Sequence, residues 1–447
     1  MSGLPSARSL AADLAAGRTS SVALTRAALD RIAATKGDWH IFITVSPETA
    51  MAEAAASDAR RAAGRSLGPL DGVPIAVKDN IDVAGMPTTA GIAAYRDRVP
   101  VEDAAVIARL RAAGAVLLGK LNLHEGALGA TTDNPTYGRC ENPRVPGSTP
   151  GGSSGGSGAA VAGGIVAIAL GTDTMGSVRI PAAYCGTWGL KPTRGLVGTS
   201  GLTYLSWTLD TIGPLANDAD DLALAIAAMA GADPDDPRSA AAPEGWDPAP
   251  AAIDLKGLVL GRPSVVDSVA CEPEVRAAYD ALIASAVAQG AIVRDVAIDG
   301  WDTGKARRAG LLISEAEAGS LIGRDLDTLG DGFSDGFRRF MNFGRQASGE
   351  RIAGAYWALD RLGLAARRAL DGVDALILPT APQRAFPHGS PAPAAQADFT
   401  ALANIAGLPA VAFPLPGDIP NSAQLVGRPF EEGRLLGIAK ALLQRTI

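Results

Sequence analysis

Histidine and cysteine are scarce in this chain of 447 residues, with three of each. The cysteines, Cys140, Cys185 and Cys271, lie far apart and form no Cys-x-x-Cys pair. That excludes a disulfide framework and a cysteine-built metal centre, and a reduced compartment is expected. An excess of positive charge is also missing, since the net charge is −7 and no Lys/Arg cluster stands out. Phosphate contacts need a basic face, so no nucleic-acid partner is expected. Long apolar runs are absent too. The longest, AAVAGGIVAIAL at 159–170, contains two glycines and is too short to cross a bilayer. The opening segment MSGLPSARSLAADLAAGRTSS has no basic stretch followed by an apolar one, so no export signal, no membrane partner and a cytoplasmic location are expected.

What is present is a composition of 47% hydrophobic and 19% charged residues, enough to bury a large core. Gly 53 and Pro 30 are high counts for a helical bundle and point to the many tight connections of an α/β fold. Residues 5–65 carry helical periodicity, with Ser21 and Ser46 as N-caps of the second and third segments. From 70 onward strand and helix signals alternate. GVPIAVKDNID reads as a strand, DAAVIARLRAAG as a helix, AVLLGKLN and IVAIALGTD as strands, and 157–163 as a small-residue helix. Residues 232–252, rich in Pro, Asp and Ala, read as a surface linker, and 381–398 as a long loop.

Three motifs match in part and fail. Gly114 to Leu121 has P-loop spacing through its lysine, but Leu121 stands where a Mg²⁺-binding Ser or Thr is needed. His124-Glu125 begins a zinc-protease motif, but Leu128 occupies the position of the second histidine. Gly151 to Gly155 satisfies G-x-S-x-G, yet ENPRVPGSTP before it is no strand, and the only later histidine is His388.

Without a histidine base, a serine nucleophile needs another proton acceptor. Lysine serves when burial disfavours its ammonium form. Lys78 closes the buried-looking strand GVPIAVK and is the candidate. In ALGTDTMGSVRIPAAYCG an apolar strand feeds a turn holding Ser177, with RIPAAYCG opening a helix. The backbone N–H groups of Thr174, Met175, Gly176 and Ser177 can converge there on a developing oxyanion.

Taken together, LDGVPIAVKDNIDVAGMPTTAG, PGGSSGGSGAAVA, LGTDTMGSVRIPAAYCGTWGLKPTRG and SWTLDTIGPLA resemble the amidase signature family, from about residue 5 to 445. The resemblance implies a central mixed β-sheet covered on both faces by α-helices. It implies one domain over 1–447, divided into a helical segment (1–66), a catalytic core (67–231), the linker (232–252) and a C-terminal part (253–447) that completes sheet and pocket. It also implies a Ser-cisSer-Lys triad. Ser177 matches the nucleophile, Lys78 the terminal base and Ser153 the bridging serine, held in that family by a cis peptide bond. The spacing to Ser177 selects Ser153 over Ser154.

The implied reaction is cleavage of an amide, anilide or carbamate carbon–nitrogen bond through a Ser177 acyl-enzyme, with an esterase side activity and no cofactor or metal. The same resemblance allows the amidase subunit of a glutamyl-tRNA amidotransferase, a non-catalytic binding protein, and a homodimeric assembly. Met175 departs from the family's usual glycine, as in some relatives that cleave small urea-like substrates. PGDIPNSAQLVGRP likewise departs from the usual turn before the Gln-Leu strand. The loop after 124 and residues 381–398 are expected to line the pocket, and their small, apolar side chains favour a neutral substrate.

Overall fold

The computed structural model describes residues 4–444. The strands are β1 (Phe42–Val45), β2 (Pro74–Lys78), β3 (Val116–Leu121), β4 (Asp133–Asn134), β5 (Gly138–Arg139), β6 (Ile168–Asp173), β7 (Trp188–Lys191), β8 (Thr211–Ala216), β9 (Val259–Pro263), β10 (Ile292–Val296), β11 (Ala375–Pro379), β12 (Ala410–Leu415) and β13 (Asn421–Val426). Strands β4 and β5 pair with each other. The other strands form one 11-stranded sheet in the order β1-β3-β2-β6-β8-β7-β12-β13-β11-β9-β10. The sheet is mixed. β2 runs parallel to β3 and β6, β8 is antiparallel to β6, and β12 and β13 are antiparallel to their neighbours.

Helices cover both faces, and the strand sequences show why. Side chains alternate along a strand, and here both sets are apolar. Ile75 and Val77 join the larger core with Leu117, Ile168 and Leu170. The intervening Ala76 joins a second core with Val116, Leu118 and Ala169. The first face is covered by helices that include Ala105–Ala112, Ala219–Met229 and Glu432–Leu443. The second lies under Ser21–Trp39, Pro47–Ala62 and Gly155–Ala162. Strands buried on both sides read as continuous apolar runs, as PIAVK and AVLLG do.

Local details differ from the sequence reading. Ser20, not Ser21, caps the second helix, accepting from the Ala23 N–H; Ser21 is the first helical residue and donates its hydroxyl to the Gly72 carbonyl at 2.9 Å. Ser46 occupies the N-cap position of the third helix, as expected, but its side chain makes no cap hydrogen bond. Segment 232–252 has no regular element but is not a loose tether. Asp233 and Asp236 are buried, and Asp236 accepts from both the backbone and the hydroxyl of Thr199. After Pro420 the chain enters β13 directly, paired from Asn421 to Val426 with β12.

Candidate active site

Parallel pairing of β2 with β6 sets Val77 beside Leu170, so the C-terminal ends of both strands emerge together. Lys78 ends the first strand, and Thr172 and Asp173 end the second. The Gly/Ser segment crosses these ends. Its Ser154 hydroxyl donates to the Thr172 carbonyl (3.1 Å) and accepts the Thr172 N–H (3.2 Å). One turn later the Ser157 hydroxyl donates to the Leu170 carbonyl (2.8 Å). The peptide bond between Gly152 and Ser153 is cis.

These contacts bring two of the sequence-nominated residues together directly. Lys78 Nζ lies 2.7 Å from Ser153 Oγ and 2.7 Å from Thr172 Oγ1, and the lysine is fully buried. Desolvation lowers its pKa to about 7, against the opposing pull of the Asp210 and Asp173 carboxylates. A lysine so placed is available as a neutral base near neutral pH. Ser177 lies alongside the segment, half-buried, with its carbonyl accepting the Ser154 N–H at 3.3 Å.

The 174–177 turn is gripped from several sides. Thr174 Oγ1 donates to Asp210 Oδ1 (2.5 Å), and Thr400 Oγ1 donates to the Met175 carbonyl (2.6 Å). Asp173 accepts the Gly176 N–H (2.6 Å) and the Val178 N–H (3.2 Å). The sequence reading counts Gly176 among four candidate oxyanion donors, but its N–H is committed to Asp173, which leaves the other three as candidates. Asp173 is itself held by a buried Arg179 guanidinium at 3.0 Å and by Asn404 Nδ2 at 2.9 Å. Arg179 also donates to Gln424 (2.8 Å) and Asn404 (2.7 Å). Burial pushes the Asp173 carboxyl up, but Arg179 and its other partners outweigh it and the pKa falls below the ordinary value. Burial instead pushes the Asp210 carboxyl up to about 6, against the pull of its hydrogen-bond donors and of Lys78.

Asp173 and Arg179 stand within the LGTDTMGSVRIPAAYCG motif, yet nothing in the sequence singles them out from its other members. Thr400, Asn404 and Gln424 carry no local signal and arrive from the far end of the chain. The His124 backbone N–H donates to the Ser153 carbonyl at 3.1 Å, but its ring points its hydrogen bond elsewhere. His124 is half-buried, its pKa lowered to about 4 by desolvation, and its ring meets Thr131 Oγ1 at 3.2 Å. A cavity of about 360 Å³ lies beside the loop after 124, formed by His124, Leu128 and Asp133 against Phe337 and Phe340, and none of Lys78, Ser153 and Ser177 lines it. The 381–398 segment is more polar in its contacts than its composition suggests. Gln383 and Gln396 donate to the Tyr184 hydroxyl (2.8 and 3.1 Å), and Asp398 is ion-paired with Arg307. No helix among the described residues is long and apolar enough to cross a membrane.

The family model named Amidase matches residues 23–436. A glutamyl-tRNA(Gln) amidotransferase subunit of Chloroflexus aurantiacus is 40% identical, with 97% of this chain and 95% of that protein covered. Among solved structures, a member of a vestigial protein complex linked to the origins of an s-triazine catabolic enzyme superposes with a TM-score of 0.91. It is 35% identical, with 99% of each chain covered. The peptide amidase of Stenotrophomonas maltophilia gives 0.85 and 30% identity, over 99% of this chain and 96% of the other.

One expectation is overturned by these relatives. The acidic net charge suggests that no nucleic acid takes part, yet a relative sharing 40% identity belongs to an enzyme named for a tRNA reaction. In a multi-subunit enzyme the basic face can belong to another chain, so the net charge of one component does not exclude it. Fold, motifs and relatives agree: the chain belongs to the amidase signature family of enzymes, which cleave amide carbon–nitrogen bonds.

Proposed function

We propose that this chain is the amide-cleaving component of a glutamyl-tRNA amidotransferase-type assembly in the cytoplasm. It would release ammonia from an amide donor such as glutamine for transfer to a tRNA-bound acyl group by partner chains. The observation that carries this reading is the 40% identity, nearly end to end, with a protein named as a subunit of that enzyme.

Neutral Lys78 accepts the Ser153 proton while Ser153 accepts that of Ser177, whose oxygen attacks the amide carbonyl. The N–H groups of Thr174, Met175 and Ser177 hold the oxyanion. The relay then returns a proton to the departing nitrogen, because an amide anion is a very poor leaving group. Water attacks the Ser177 ester by the same route and frees the acid. The 2.7 Å contact of Lys78 with Ser153 supports this assignment.

A free-standing amidase acting on a small neutral amide or carbamate is the second reading. It is favoured by Met175 in the turn, which departs from the family's glycine, and by the close superposition on the s-triazine-related structure.

The test is ammonia release from glutamine and from a panel of a primary amide, an anilide and an aryl carbamate. The chain is assayed alone and co-expressed with the companion chains of an amidotransferase, with Ser177→Ala as control. Glutamine turnover that appears or rises with the companions, together with amidation of mischarged tRNA, supports the first reading. Full turnover of the panel by the chain alone, with no response to companions, overturns it in favour of the second.

A further inference from the structure

The residue that breaks the family pattern at the turn is also the one whose side chain leaves it. Met175 enters the cluster formed by Leu209, Ala306, Ile313 and Ile405, between the helices Thr303–Thr328 and Ala401–Ala406. It meets the first of these helices at Gly310. A Cβ added there would sit 2.6 Å from Met175 Sδ, closer than Cβ atoms come to a neighbour, so the thioether would have to shift. Glycine inside a helix is unfavourable relative to alanine, so its presence needs a local reason. Here the reason is space. Ala306, one turn earlier and on the same face, is also small and is fully buried in the same cluster.

We propose that Met175 and Gly310 are a matched pair that positions the oxyanion turn, the thioether acting as a peg and the helix hollow as its socket. The turn is then secured at one residue from two directions. Thr400 Oγ1 holds the Met175 carbonyl at 2.6 Å, and the 303–328 helix holds its side chain. Between these anchors the Met175 N–H is aimed as an oxyanion donor. The methionine is therefore compatible with catalysis because the opposing helix supplies the missing volume. Both residues are positioning residues. The inference rests on reading 174–177 as the nucleophile turn.

A double-mutant cycle on whichever amide the panel shows to be turned over tests the pair, using Met175→Ala, Gly310→Ala and the double variant, with Ser177→Ala beside them. Displacing reacting groups by about 1 Å costs up to about 100-fold in rate. Gly310→Ala is therefore expected to lower kcat roughly tenfold or more with KM changed less than about twofold. Met175→Ala, which loses the peg, is expected to lower kcat by a few-fold, again roughly. The double variant should match Met175→Ala alone, because once the thioether is gone the added methyl meets only Leu209 Cδ1 at 3.8 Å, an ordinary contact.

Additive losses in the double variant, or an unchanged kcat in Gly310→Ala, would overturn the pairing. If Gly310→Ala does not fold, the double variant decides. Recovery of a cooperative thermal transition with turnover at the Met175→Ala level supports the pair, and failure to recover overturns it. Turnover surviving in Ser177→Ala would overturn the nucleophile reading and this inference with it, whereas a dead Ser177→Ala beside additive losses would overturn the pairing alone.

Discussion

Lys78 Nζ and Ser153 Oγ face each other across 2.7 Å at the buried junction of β2 and the Gly/Ser segment. Neither side chain reaches water. The contact places a lysine where its charge is least favoured and its lone pair is most useful. The pH dependence of the enzyme follows from it.

Desolvation brings the Lys78 pKa down to about 7. In the proposed mechanism Lys78 must be neutral to accept a proton, so kcat/KM is expected to rise as pH climbs through about 7 and to level off above it. A permanently charged guanidinium cannot take that role, and Lys78→Arg should lose roughly 100-fold or more in rate at every pH. A pH–rate profile of the two proteins checks both statements. A flat wild-type profile through neutrality would contradict the first.

Asp210 tunes that limb. Its carboxylate favours the charged form of Lys78, holding the lysine's pKa above where burial alone would put it. Asp210→Asn removes the charge while keeping an acceptor for Thr174. The rising limb should move to lower pH, and the same profile measures the shift. A move to higher pH would reverse the assigned sign.

Arg179 and Asp173 form a fully buried ion pair at 3.0 Å beneath the turn. Arg179→Met leaves the carboxylate without its cation, and loss of one partner of a buried pair costs about 3–5 kcal/mol. Asp173 is held below its ordinary pKa. Its contribution is therefore present near neutral pH and lost as pH falls through the folded value. Denaturant unfolding should show a large stability gap between variant and wild type at neutral pH that narrows in acid.

Gly176 has φ +136°, a region that side chains rarely adopt. An added Cβ would also press on Thr400 Oγ1, the group that holds the Met175 carbonyl. Gly176→Ala should cut kcat by roughly 100-fold, as displaced reacting groups do. Measured kcat near wild type would show that the turn tolerates both strains.

Much of the site can be read before any coordinates. PIAVK and IALGTD are short apolar runs with polar residues at their C-terminal ends, and such runs become strands buried on both faces. That pattern, together with the scarcity of histidine, points to Lys78 and the turn holding Ser177 as candidates, and the family resemblance gives them roles. The partners that shape the turn are illegible for a definite reason. Thr400, Asn404 and Gln424 meet it only because β12 and β13 fold back beside β7, and no local periodicity encodes that return. The cap on the second helix falls one residue away from its expected place because Ser20 and Ser21 are chemically equal. Tertiary contacts separate them: the Ser21 hydroxyl donates to Gly72 and its N–H to Asp58.

By itself, the order of residues determined the layered α/β class, the family, and the stretches that carry the candidate serines and lysine. Those properties depend on side-chain type and short-range alternation, which a linear chain already contains. Tertiary structure alone decided which N–H groups of the turn remain uncommitted, how far Lys78 is desolvated, and where the Met175 side chain goes. Each of these depends on what surrounds a group on all sides, and here the surroundings come from segments hundreds of residues apart.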